Sequence, residues 1–297
     1  MTSQPHIALV TDTNNLSLSP SDAMLLEPLK QRDIRISIVP WETPDTDWRT
    51  FDLVILRSCW NYYHHLAAFR SWIDRLEAER VRLYNPAPVV RWNLDKRYLR
   101  ELAEDGMNIV PTVWADSSET RTLAEIIAQQ GWQQVVVKPR ISASAHGIFQ
   151  SNPDDAPKQQ AKFVQMLQTT GVLIQPQMPQ IAQGEWSFIF LNGRYSHTAR
   201  KLPGNGTIFV QKGYGGVVEP GEADPHLLAQ GSAALQAALA RLQLASDQLL
   251  YARIDGLDVD GMLLLMEVEL IEPGLFFDVV PGSAERFADA IVAQLEL

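Results

Sequence analysis

The stretch "LLLMEVELIEP", Leu263 to Pro273, decides how this sequence reads. It has the apolar density of a buried strand, yet it carries acids at Glu267, Glu269 and Glu272. Strand side chains alternate between faces. That predicts Leu263, Leu265, Glu267, Glu269 and Ile271 on one face and Leu264, Met266, Val268 and Leu270 on the other. A face that is leucine at one end and acidic at the other is not a plain solvent face. Neighbouring carboxylates in a half-buried site repel and lose hydration, at roughly several kcal/mol per ion. A shared proton, basic partners or a divalent cation can offset that cost.

The preceding strand, "LLYARID" from Leu249 to Asp255, places Arg253 and Asp255 on one face. Asp260-Gly261 then signals a turn. A loop centred on Gly261 sets Asp255 opposite Glu267, whereas a two-residue turn slips the pairing and sets Asp255 opposite Met266. The first register gathers Asp255, Glu267 and Glu269, with Arg253 beside them. These are oxygen ligands suited to Mg²⁺, which takes waters and substrate phosphates as its remaining ligands. The stretch holds no histidine, which disfavours zinc. The competing reading is an edge hairpin with its acids in water. Asp258 and Asp260 belong to the turn.

A Mg²⁺ on few carboxylates calls for a phosphate ligand, yet neither a Walker loop nor a dinucleotide-binding glycine motif is present. Kinase signatures are missing as well. Instead Lys138-Pro139 ends the valine-rich strand "VVVKP", and a loop of small residues follows, with Ser142, Ser144 and Gly147. Small side chains let backbone N–H groups approach an anion, and the serines add hydroxyl donors. The same residues also describe an ordinary surface loop. Lys96, in "NLDKRYLRELAEDG", falls on a helix expected over 92–102, where a lysine is usually solvated.

The rest of the chain sets limits. Its 297 residues suffice for one large domain or two to three smaller ones. With 46% apolar and 20% charged residues it is globular rather than disordered. A net charge of -10 argues against nucleic acid as a partner. Cys59 is the single cysteine, so no intrachain disulfide forms, which fits a cytoplasmic setting. Met1–Val10 lacks a signal-peptide pattern, and no apolar run approaches the ~20 residues that span a membrane. The first 84 residues alternate strand and helix, which predicts an α/β, open parallel sheet with ligands beyond the carboxyl ends of its strands. Turn-rich joints near 84–92 and near Thr170 divide the chain into 1–91, 92–170 and 171–297. A helix is expected to close the chain over 284–297.

In this order, "NLDKRYL…VP", "VVVKP…SASAHG", "LIQPQMPQIAQGEWS", "SHTARKLPGNG…GYGG", "RIDG" and "MEVELIEP" resemble the ATP-grasp superfamily. The resemblance is nearest to the glutathione-synthetase-like ligases and to the branch holding the cyclo-ligase of cycloserine biosynthesis. It implies an ATP-grasp fold, in which an N-terminal parallel domain precedes two subdomains that clasp ATP. It implies that Lys96 and Lys138 contact phosphates under a flap from Ser142 to Gly147. Gln175, Gln177 and Met178 of the "QPQM" hinge would meet adenine, and Glu185 the ribose or the hinge's far end. Arg200 would contact a substrate carboxylate or the transferred phosphate, and Arg253 the developing charge. Asp255, Glu267 and Glu269 would hold one or two Mg²⁺, with Mn²⁺ able to substitute.

The flap has fewer glycines than the family's, and Glu269 stands where Asn is common. The implied reaction is ATP-dependent ligation of a small-molecule carboxylate and an amine through an acyl phosphate, within one molecule or between two. A phosphotransferase and a non-catalytic nucleotide-binding relative are the alternatives. A homo-oligomer, dimer or tetramer, is compatible with the resemblance, and no membrane partner is implied.

The glycine-rich excursion Leu202–Gly216 is expected to be a lid against water. For substrate, "RSCWNYYHHL" offers Arg57 to a carboxylate and Asn61, Tyr62 and Trp60 to shape a pocket. Glu272 and Pro273 start the loop after the acidic strand, close enough to touch the acceptor. Cys59 and His64, His65 and His197 are expected to be structural.

Overall fold

A computed structural model describes residues 4–296. The first three residues, and Leu297 at the end of the expected closing helix, lie outside the described residues. The N-terminal sheet contains β1 (His6–Thr11), β2 (Arg35–Pro40), β3 (Leu53–Leu56) and β4 (Leu83–Tyr84). Its order is β2-β1-β3-β4 and every pair is parallel, as the alternation predicts. Apolar side chains cover both faces, as a parallel sheet requires. Ile7, Leu9, Leu53 and Ile55 pack with Phe287 and Ile291 of the closing helix Ser283–Leu295. Ala8, Val10, Val54 and Leu56 pack with Trp41, Trp48, Phe69 and Trp72.

The middle sheet is antiparallel, in the order β5-β8-β6-β7: β5 (Val113–Ala115), β6 (Val135–Pro139), β7 (Phe149–Ser151) and β8 (Val172–Pro176). Two helices cover one face. The first, Leu123–Gln130, starts from a Thr122/Glu125 capping box and stops at Gly131 in left-handed geometry. The second is Ala156–Thr169. The third sheet, also antiparallel, contains β9 (Glu185–Leu191), β10 (Arg194–Leu202), β11 (Val217–Pro220), β12 (Tyr251–Val259) and β13 (Met262–Glu269), in the order β11-β10-β9-β12-β13. Helix Pro225–Leu242 buries Leu227, Leu235 and Leu239 against it. Among the described residues no helix is long and apolar enough to cross a membrane.

Three expectations change. The turn between β12 and β13 is the two-residue one, because Val259 pairs with Met262. Even so, Asp255 faces Glu267, because the register shifts by one between Asp255 and Gly256. Met266 is the extra residue of this β-bulge. The bulge also overturns the expected shared face. Leu263 and Leu265 point into the core with Val268 and Leu270, while Met266, Glu267 and Glu269 line a cavity on the other side. Finally, the helix expected over 92–102 is two, Ala87–Asn93 and Tyr98–Glu104, and Lys96 lies in the break. Asp95 makes that break: its carboxylate accepts from the Arg97 amide at 3.0 Å and from Arg140 at 2.5 Å.

Candidate active site

A cavity of about 690 Å³ opens between the three sheets. Its acidic wall comes from β12 and β13. Asp255, Glu267 and Glu269 each offer a carboxylate oxygen, and these atoms lie within 4.8 Å of one another. Asp255 is fully buried, and the two glutamates are partly exposed toward the cavity. An all-carboxylate set without His or Cys suits Mg²⁺.

Cations are interleaved with these acids. Arg253 donates to Asp255 at 2.9 Å and also to Glu269. Lys201 lies 2.6 Å from Glu185 and 2.8 Å from Asp255. Lys96 lies 3.6 Å from Glu267 and donates to the Ser142 carbonyl at 3.1 Å. Lys138, 8% exposed, projects from β6 into the same cavity.

Burial works against the Asp255 carboxylate, but Arg253 and Lys201 hold it at about 2. Burial also opposes the charge on Glu267, which Lys96 and Lys138 nevertheless keep below the usual glutamate range. Burial pushes the Glu269 carboxyl up to about 8; Arg253 opposes this, and Asp255 and Glu267 add to it. The Lys138 ammonium is lowered by burial, with Glu267 and Glu185 opposing. The wall is thus a set of mutually dependent charges, poised to exchange internal partners for a cation and an anion.

Ser142 and Ser144 also line the cavity. Ser144 and Ala145 both have positive φ, 52° and 59°, so the flap turns tightly without glycine there. Gly147, φ 77°, is where glycine is needed: a Cβ would come within 2.9 Å of Pro139. It supports the flap from outside the cavity lining. Gln175, Gln177 and Met178 border the far end. Gln175 is held by a bond to Thr112 Oγ1 at 2.9 Å, and the Gln177 amide by the Gln134 carbonyl at 2.8 Å. The excursion 202–216 lines the cavity with Ile208, Phe209 and Tyr214. Gly216 permits its closure, since a Cβ there would meet the Val210 carbonyl at 2.2 Å.

Other expected residues are not brought to the cavity. Arg57 is fully buried, bonded to Asp22 at 2.6 Å and to the Pro273 carbonyl at 2.9 Å, with its guanidinium over Tyr251. Asn61 accepts from Trp41 at 2.8 Å and donates to Glu42, within the N-terminal unit. Arg200 points to the opposite face of β10, where it stacks 5.0 Å over Trp186 and donates to the Gln183 carbonyl. By contrast, Trp60, Tyr62 and Glu272 do line the cavity. Sequence reasoning passed over Lys201, next to Arg200. Its only signal was a place on the strand across from Glu185, legible once the register is known.

A parallel nucleotide-type sheet, two antiparallel sheets and an acid–lysine cavity between them define the ATP-grasp class. Comparison with known proteins agrees. A family model for the N-terminal domain of D-cycloserine synthetase DcsG matches residues 7–85. The cycloserine biosynthesis protein DcsG of Streptomyces lavendulae is 31% identical over 300 residues, covering 98% of this chain and 99% of that one. The crystal structure of D-cycloserine synthetase DcsG matches with a TM-score of 0.85 and 30% identity, over 98% of this chain and 99% of that one. A D-alanine–D-alanine ligase from Bacillus anthracis, complexed with ATP, matches in fold with a TM-score of 0.70 at 14% identity, over 98% and 97%. The chain belongs to the DcsG family of ATP-grasp ligases.

Proposed function

We propose that this enzyme uses ATP to close an amide-type C–N bond on a small amino-acid-like carboxylate, by an intramolecular ring closure of the kind the name of its cycloserine-forming relative implies. The observation that carries the reading is the Asp255–Glu267–Glu269 cluster set among Lys96, Lys138, Lys201 and Arg253. The substrate carboxylate attacks the γ-phosphorus of ATP, ADP leaves, and an acyl phosphate results. The amine then attacks the acyl carbon, loses a proton, and inorganic phosphate departs.

Lys96 and Lys138 bind and orient the phosphates, beneath the flap bearing Ser142 and Ser144 and supported by Gly147. Gln175, Gln177 and Met178 border the base, and Glu185 the ribose end. Arg253 stabilises charge on the transferring and tetrahedral centres. Arg200, on the far face, is left without a direct role in this reading. Asp255, Glu267 and Glu269 would hold Mg²⁺, which supplies charge neutralisation at the triphosphate. The three carboxylates leave room for one or two Mg²⁺, whose remaining ligands would be waters and phosphate oxygens. Mn²⁺, with similar ligand chemistry, would substitute. The lid 202–216 excludes water from the acyl phosphate.

The division into three units belongs to the same proposal. Because Val172–Pro176 pairs within the middle sheet, the second joint of this reading falls after Pro176. The test is hydroxylamine trapping. Protein, ATP, Mg²⁺ and candidate amino acids should give a hydroxamate together with ADP; a stable phosphorylated product without hydroxamate would point to a phosphotransferase instead.

A further inference from the structure

The acids of the cavity differ in what neutralises them. Asp255, Glu185, Glu269 and Glu267 each have a lysine or arginine nitrogen within ion-pair distance. Glu272 also faces the cavity and is only 8% exposed. Among the described residues its carboxyl has the neutral Tyr62 side chain beside it and no lysine or arginine nitrogen within ion-pair distance, while Lys96, Arg57 and Arg253 act on it from longer range. Burial pushes this carboxyl up to about 7. A carboxylate nine-tenths buried and turned into a cavity with no cation at ion-pair distance is incompletely satisfied.

The backbone around Glu272 is fixed unusually well for a segment outside regular structure. The carbonyls of five consecutive residues each accept a bond from a side chain: Ile271 from Tyr251 at 2.7 Å, Glu272 from Trp60 at 3.3 Å, Pro273 from Arg57 at 2.9 Å, Gly274 from Arg253 at 2.9 Å and Leu275 from His197 at 2.8 Å. These donors come from the loop after β3, from β12 and from β10. The acid is therefore preorganised at the end of the cavity that the N-terminal unit borders through Ser19, Ser21 and Trp60.

We propose that Glu272 is the anchor for a cationic amine on the acid substrate, so that the enzyme selects 2-amino acids over amine-free carboxylates of the same shape. This rests on the ligase reading above and deepens it. The substrate's ammonium pairs with Glu272, and its carboxylate is directed toward Arg253 and the phosphate-binding wall. A hydroxyl in place of the ammonium leaves the acid buried without its counter-charge, so affinity falls.

The experiment separates this claim from the ligase reading. Protein loaded with a non-hydrolysable ATP analogue and Mg²⁺ is titrated by calorimetry with D- and L-alanine and serine, and with the matching 2-hydroxy acids lactate and glycerate. At least one amino acid should bind about tenfold or more tighter than its hydroxy partner. Glu272→Gln should erase that preference, and Glu272→Asp should restore part of it. In turnover, Glu272→Gln should raise KM for the amino acid about tenfold and leave KM for ATP within about twofold. Equal binding of both members of every pair, binding by none of the amino acids, or a preference that survives Glu272→Gln overturns the anchor. So does a loss confined to kcat. If Glu272→Gln fails to fold, the wild-type comparison alone decides. A preference for amino acids without any hydroxamate would keep the anchor and reject the ligase; hydroxamate formed equally from hydroxy acids would do the reverse.

Discussion

The two hairpins of the third sheet are built to one plan and end in different places. The first turns at Asn192-Gly193, the second at Asp260-Gly261, and each turn has two residues. Each hairpin then takes up one extra residue, Ser196 in β10 and Met266 in β13. Past its bulge, the first brings Lys201 opposite Glu185, and the second brings Asp255 opposite Glu267. In the first, the bulge chooses which of two adjacent cations enters the cavity. In the second, it sends two leucines to the core and two acids to the cavity. The first hairpin thus lends Lys201 to an acid of the second, which otherwise pairs its acids with its own Arg253.

The comparison can be broken most severely at the acidic hairpin. Asp255→Asn removes the one acid held by cations from both hairpins. The expected loss in kcat/KM is on the order of 1,000-fold, measured by ADP release. Retained activity would detach the cluster from the chemistry.

A smaller contrast lies within the first hairpin. Lys201→Met strands Glu185 and Asp255 and should cost about 3 kcal/mol in urea unfolding, as the loss of a buried partner does. Arg200→Met removes a stacked guanidinium and its bond to the Gln183 carbonyl, both near the surface, and should cost about 1 kcal/mol or less. Equal costs would mean that the bulge does not set the faces as described.

The smallest effect is in pH. With the Glu269 carboxyl pushed up to about 8, the metal-free site holds a proton there at neutral pH. Coordination must expel it, so apparent Mg²⁺ affinity rises with pH below 8, by up to about tenfold per unit, and levels off above. A Mg²⁺ titration of ATP binding that is flat from pH 6.5 to 8.5 would contradict the assignment of Glu269.

Much of this was legible in the sequence. The parallel sheet followed from strands alternating with helices, and "VVVKP" placed Lys138 correctly at a strand end. The acids stood out because carboxylates rarely sit among leucines without a reason. What was hidden is the bulge. Period-two counting has no signal for an inserted residue, so it paired the right acids through the wrong turn and put Leu263 and Leu265 on the wrong face. Arg200 came from the resemblance alone, and Lys201 was passed over because only the pairing of β10 with β9 sets it across from Glu185. Arg57 misled for another reason. A strand-end arginine in an α/β sheet suggests a ligand, but pairing with Asp22 and packing on Tyr251, Phe277 and Phe287 can bury a guanidinium completely.

The cradle beneath Glu272 has a consequence for how this chain can be divided. Arg57 and Trp60 reach it from the first 91 residues, so a shortened protein starting at Trp92 would lose the two donors that fix the backbone carbonyls of Pro273 and Glu272. The clasping half depends on the front third for the shape of its own active centre. Exchanging that third for a relative's would therefore alter which molecules are accepted only if both tethers come along with it.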